Sequence, residues 1–308
     1  MNVAEASTAL VWGAATAYAI ALVCYTTLLA RAVDPARESR TEAADAEGGT
    51  RTAVAVRTGT RAAGIARSTV RVGLLLHLAA VVTRGIAAGR APWANLYEFM
   101  LVGGLVAVVV LVLLQDSRVV PFLGTFVVGI VVLFLAVAQV NFFVPADGVQ
   151  PALQSYWLVI HVGVAVIATG VFTVGVVASV LQLLRLSREE GSTRLAGWRW
   201  LEQTPGAAAL ESLAFRLNAA GFVLWTFTLV AGAIWAEHAW GRYWGWDPKE
   251  VWTFVIWVVY AGYLHARTTR GWSGRKAAWL VVVAYLCVVA NFTLVNIFFP
   301  GLHSYANV

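Results

Sequence analysis

The stretch Trp240-Gly241-Arg242-Tyr243-Trp244-Gly245-Trp246-Asp247 packs three Trp, one Tyr and two Gly into eight residues. Long apolar runs flank it, so it sits where a membrane-spanning chain meets water. Trp and Tyr collect at that level in membrane proteins generally, which is explanation enough for one or two of them. Here they are clustered, and glycines separate them. Backbone and ring faces can then both approach a flat ligand. The next residues, Asp247-Pro248-Lys249-Glu250, read as a helix start, with Asp at the N-cap, Pro first and Glu third. The apolar helix that follows is thereby pinned to the aromatic loop.

Composition agrees with a membrane setting. The chain has 308 residues, 60% of them hydrophobic and only 12% charged. That excludes a soluble domain and points to an all-α polytopic membrane protein. The net charge of +6 falls in loops between spans, so nucleic acid is not an expected partner; the lipid bilayer is. Cys24 and Cys287 stand singly in apolar segments, and there is no C-x-x-C. Thiol–disulfide transfer is therefore not this chain's chemistry. The first apolar run has Glu5 before it and no basic n-region, so it reads as a retained span.

Apolar runs predict about eight transmembrane helices, roughly 9–30, 70–88, 99–115, 119–140, 156–184, 217–236, 250–267 and 277–298. The division expected is an N-terminal helix at 1–30, an Arg-rich flexible loop at 31–68 and a transmembrane domain at 69–308. The aromatic loop of that domain spans 236–250. Segment 31–68 carries seven Arg among Ala, Thr and Gly and offers few large apolar side chains to bury. Arg also marks 185–216 and 266–276. Eight spans put all three segments on one side, which the positive-inside rule makes cytoplasmic. Both termini and the aromatic loop then face outward. On that face Gly89-x-x-Pro92-x-x-Asn95-x-Tyr97-Glu98 reads as a turn capping the third helix, with Glu98 in a capping or pairing role. Trp198 and Trp200 fall in a surface connector on the inner side.

Five histidines occur, and none pairs with another at i, i+4. A buried His is by default a hydrogen-bonded structural residue, but ionisable groups inside a membrane shift that balance towards function. His161 lies roughly 7 Å below the outer end of the fifth helix, one turn after Trp157. His303 follows the last span, where Pro300 stops the helix and Gly301 lets it turn. Both reach the face that carries the aromatic loop, and two neutral imidazoles can ligate a haem iron from opposite sides. His238 reads as a loop residue. His265, ~22 Å along the seventh helix from Glu250, and His77, about 9 Å in from Arg71, both lie towards the inner face.

The pattern W-G-x-x-W-x-W-D at Trp240, Gly241, Trp244, Trp246 and Asp247 resembles the "WWD" signature of membrane proteins that handle haem in cytochrome c maturation. Over most of 70–308 the chain resembles the CcsA/ResC type of the System II pathway. The likeness rests on the pattern around His77, the P-x-x-N-x-Y-E loop, Trp157-x-x-x-His161, Tyr263-Leu264-His265 and Gly301-Leu302-His303-Ser304-Tyr305. The resemblance implies that His161 and His303 flank the aromatic segment and hold haem b as bound substrate, and that His265 is a transmembrane haem ligand. His77 or a histidine of a partner stands as the mate of His265. It also implies a ResB-type partner, apocytochrome c as protein substrate, and thiol-reducing proteins acting indirectly. The implied work is presentation of haem at the outer face of the plasma membrane for thioether attachment to C-x-x-C-H motifs. Catalysis would be positioning, and no side chain is assigned as a catalytic group. A haem exporter or chaperone without ligation activity and a b-type electron-transfer cytochrome are the rival readings. The outward His303, outside any span, argues against the second. Reporter fusions should place residue 245 outside and the three Arg-rich segments in the cytoplasm; a cytoplasmic signal at 245 would reverse the orientation.

Overall fold

The computed structural model describes residues 2–31, 52–114, 120–148 and 155–303. Helices account for nearly all of this, and no β-strand occurs among the described residues. In chain order they are α1 (Val3–Arg31), α2 (Thr52–Ala88), α3 (Leu96–Leu113), α4 (Val120–Asn141), α5 (Tyr156–Glu189), α6 (Ala207–Trp240), α7 (Pro248–Thr269), α8 (Arg275–Phe292) and the short α9 (Leu294–Phe298). Seven of the described helices are long and apolar enough to cross a membrane. The 22-residue α7 has the length too, but Trp, Tyr and His dilute its aliphatic residues. The chain is a multi-pass, all-α membrane protein.

Several boundaries differ from expectation. The helix α2 begins at Thr52, so 52–68 is helical rather than loop, while 32–51 lies outside the described residues. Ala-rich sequence carries the helix through Arg residues that interrupt the apolar run. In the same way α6 begins at Ala207 and not near 217. Its early charge, Glu211, is matched: the carboxylate lies 2.9 Å from Arg267 and accepts from Gln182 Nε2 and Gly274 N. The aromatic loop is shorter than 236–250. The helix α6 runs through Trp240 and α7 starts at Pro248, leaving 241–247 as the connection. His238 is therefore a helical residue. Residues 193–203 form two short 3₁₀ turns, and Trp200 packs there on Phe122 and Phe126 of α4.

Two apolar cores share α5. One joins α1–α4 to α5 and the N-terminal end of α6; the other joins α5–α8. Without a hydrophobic drive between helices in lipid, close packing over small residues holds such bundles together. Tyr18 of α1 lies against Gly73 of α2, where a Cβ would meet its ring at 2.5 Å. Phe172 of α5 lies equally close to Gly221 of α6 and stacks on Tyr260 of α7.

The turn before α3 behaves as its sequence suggests. Asn95 accepts from Glu98 N and caps α3. Glu98 is fully buried and pairs with Arg84 of α2 at 2.9 Å and with Arg90 at 2.6 Å. Arg84 also donates to the carbonyl of Val144, beyond α4. One carboxylate thus joins α2, α3 and the segment after α4. Removing a partner from such a buried pair costs about 3–5 kcal/mol. Glu98→Ala should lower the thermal melting midpoint of the detergent-purified protein markedly, and an unchanged midpoint would mean the cluster contributes nothing to stability.

Candidate functional site

At the end of α6 opposite Ala207, Gly241 adopts φ 68° and closes the helix with a bond from its N–H to Glu237 O. The chain then crosses to α7, where Asp247 accepts from Lys249 N and Glu250 accepts from Asp247 N. This is the capping box expected from the sequence. Glu250 also accepts from Gly245 N and lies 3.5 Å from Arg242. Between these anchors Trp246 has φ 62°, the one non-glycine residue with positive φ among the described residues. A bulky residue there is strained, at a cost of about 1–3 kcal/mol, and persists only where its surroundings fix it.

Asp247 does more than cap α7. Its other contacts are Leu302 N at 2.6 Å and His303 Nδ1 at 2.7 Å, both in the turn after α9. Burial alone would raise its carboxyl, but these hydrogen bonds and the Lys249 N–H together hold it below the ordinary range. A carboxylate only accepts, so Nδ1 of His303 carries a proton, and the lone pair of the neutral ring is then on Nε2. On α5, His161 Nδ1 lies 3.0 Å from the carbonyl of Thr228 on α6. The same argument puts the lone pair of His161 on Nε2.

Both histidines line one open cavity at the aromatic-loop end of α5–α8. Trp235 touches both rings: it lies parallel to His161 at 6.0 Å and edge-on to His303 at 5.6 Å. Trp240 meets Trp235 at 4.8 Å and His303 at 5.1 Å. Trp244 lines the cavity directly, and Trp93 closes it from the α2–α3 turn. Trp246 is 76% exposed and stands edge-on behind Trp244, so its ring is not part of the wall. No group of three or more His, Cys, Asp or Glu gathers anywhere among the described residues. Two imidazole lone pairs beside aromatic walls suit a metal that brings its remaining ligands with it, in a flat aromatic frame.

The other histidines lie elsewhere. His238 is exposed on α6, with Nδ1 on Ile234 O and its ring 6.1 Å from Trp157. His77 is fully buried in α2; its Nε2 meets Leu101 O at 2.9 Å and its Nδ1 faces the Tyr18 hydroxyl at 3.4 Å. Both its nitrogens are thus engaged between α1 and α3. His265 is exposed near the other end of α7, which packs on α6, α8 and α9. The structure does not bring His77 and His265 together. Ser304 and Tyr305 lie outside the described residues.

Sequence reasoning missed Trp235, Gly232 and Thr228. Their spacing, with Trp225, puts them on one stripe of α6, and that periodicity was the available signal.

Fold and site together define a polytopic helical membrane protein with an open cavity flanked by two oriented histidines. The chain belongs to the cytochrome c assembly protein family, whose model matches residues 93–303. It is 33% identical over 263 residues to the cytochrome c biogenesis protein CcsA of Synechococcus sp. (strain CC9902), covering 79% of this chain and 86% of that protein. CcsA of Synechococcus sp. (strain RCC307) is 35% identical over 252 residues, covering 75% and 81%. Among solved structures the fold is similar to the cytochrome c haem lyase CcmF, with a TM-score of 0.64 and 19% identity. That match covers 96% of this chain, which spans about half the length of the lyase, 47%.

The close approach of α6 to His161 is directly testable. A Cβ at Gly232 would lie 2.6 Å from His161 Cε1, whereas one at Gly129 would meet Leu22 at an ordinary 3.6 Å. Gly232→Ala should destabilise the purified protein by about 1–3 kcal/mol through overpacking, and Gly129→Ala by much less. Equal melting midpoints for the two variants would show that the imidazole yields freely.

Proposed function

We propose that this chain is the haem-handling membrane subunit of a System II cytochrome c synthase. The observation that carries the reading is the pair His161 and His303, which line one aromatic cavity with each Nδ1 proton committed to an acceptor. Haem b, as substrate, would bring the iron and the vinyl groups that become thioethers. His161 and His303 would ligate the iron through Nε2. Thr228 and Asp247 fix the two rings by accepting from Nδ1, so each ring is oriented before the substrate arrives. Trp235, Trp240 and Trp244 supply the apolar surround.

In the ligation itself the S–H of each substrate cysteine adds across a vinyl double bond. Sulfur bonds to the inner vinyl carbon and hydrogen goes to the outer one, with no net oxidation. The chain's part is to hold the acceptor edge still while a C-x-x-C-H segment docks. The thiols come from apocytochrome c and are kept reduced by other proteins. A ResB-type partner would supply the extracytoplasmic domain. The cavity opens at the outer face of the plasma membrane in this reading, as the Arg-rich segments on the opposite side require. His265, exposed on α7 near the other face, would meet haem there together with a partner's histidine. His77, held by Leu101 and Tyr18, is left out of the ligand set.

His161→Ala and His303→Ala should each lower the haem content of the purified complex and stop cytochrome c maturation. Each leaves one axial position open beside an intact aromatic wall, so added imidazole should partly restore the low-spin spectrum. His238→Ala should do little. His265→Ala should impair delivery with less imidazole rescue. Wild-type spectra and normal maturation in both outer variants would refute the axial assignment. An exporter without ligation activity would retain haem yet fail to modify a C-x-x-C-H peptide when supplied with the ResB-type partner.

A further inference from the structure

The capping sequence Asp247-Pro248-Lys249-Glu250 places a cation beside the histidine cavity with its ammonium turned away from the two carboxylates of the cap. Lys249 is half-buried and lines the histidine cavity. Its ammonium donates to the carbonyl of Asn291 on α8 at 2.7 Å and lies 5.0 Å over the ring of Phe292. The nearby acids are taken up elsewhere. Asp247 is occupied by His303, Leu302 N and Lys249 N, and Glu250 by Gly245 N, Asp247 N and Arg242. Among the described residues no ion pair reaches the Lys249 ammonium. A part-buried ammonium with no carboxylate within ion-pairing distance is costly to desolvate, which makes this a candidate ligand position.

A second observation is independent of the lysine's charge. The Asn291 side chain is 2% exposed and lines the same cavity, and its Oδ1 has no hydrogen-bond partner. Buried amides are paired in the great majority of proteins, so an unsatisfied one facing a cavity points to an absent polar ligand. The amide can turn either end towards that ligand.

We propose that Lys249 and Asn291 form a carboxylate seat that receives one propionate of haem. The inference rests on the haem-binding reading above and adds the polarity of the bound molecule. Iron ligation by two imidazoles leaves a porphyrin free to rotate about the iron–nitrogen axis. A cation on one side of the cavity removes that freedom. The propionate edge is drawn to the α7–α8 junction, and the vinyl edge, opposite it on the ring, is turned away from that junction. Lys249 is a positioning residue: it touches the substrate's carboxylate and not the reacting vinyl carbons.

The test is binding of two probes to the purified full chain in detergent, haem and haem dimethyl ester, followed by Soret absorbance and Trp quenching. Wild type should bind haem at least about 10-fold more tightly than the ester, since a charge-assisted hydrogen bond is lost on esterification. Lys249→Met should weaken haem binding by a similar factor, leave the ester's affinity unchanged and keep the low-spin spectrum. Lys249→Arg should restore most of the preference. Equal wild-type affinity for both probes, or loss of both probes alike in Lys249→Met, would overturn the seat while leaving haem binding in place. If wild type binds neither probe and His161→Ala changes nothing, the haem-binding reading itself fails, and the seat with it.

Discussion

The carboxylate of Asp247 is the contact on which the aromatic-loop end of the molecule depends. It caps α7 through Lys249 N and holds the turn after α9 through Leu302 N and His303 Nδ1. A single side chain therefore sets where a helix starts, where a distant turn lies and which nitrogen of an imidazole carries the lone pair. Few residue types could do this. Asn could cap the helix, but its oxygen bears no full charge with which to hold an imidazole N–H. Gly301 completes the arrangement, since a Cβ there would overlap Asp247 Oδ1.

Around that contact the loop is over-determined. Glu250 accepts two backbone N–H groups, Arg242 lies beside it, and the Arg242 guanidinium fills the space a side chain at Gly245 would need. This framework is what allows Trp246 to keep a left-handed backbone. Strain concentrated in one residue of a loop, and offset by its neighbours, marks a segment whose geometry is held by its surroundings. The other rigid element is the α5–α6 pair. Gly221 and Gly232 let α6 approach α5 closely at Phe172 and at His161.

Much of this was legible in the sequence, and the gaps have physical causes. The capping box at Asp247 and the Asn95 cap depend on local spacing, and both were read correctly. The helical class followed from apolar runs, because a bilayer demands continuous spans. The helix starts at Thr52 and Ala207 were missed because hydropathy reports burial in lipid and not helicity; Glu211 breaks an apolar run yet is satisfied by Arg267. His77 and His265 share a depth in sequence terms, but depth does not say which helices are neighbours. Trp246 looked equivalent to Trp244 in the motif, and one φ angle separates them. Trp235 carries no motif at all; its role arises only from the crossing of α5 and α6.

The sharing of α5 between the two cores bears on biosynthesis. The first core joins α1–α4 to α5, and those helices emerge before the rest. His161, near the start of α5, is thus inserted early, while the segment that orients its ring arrives with α6 and the second histidine only after α9. A chain paused on the ribosome after α5 lacks only the α6 part of the first core and carries one of the two imidazoles of the cavity. The cavity and its pair of imidazoles are thereby completed only when insertion is nearly finished.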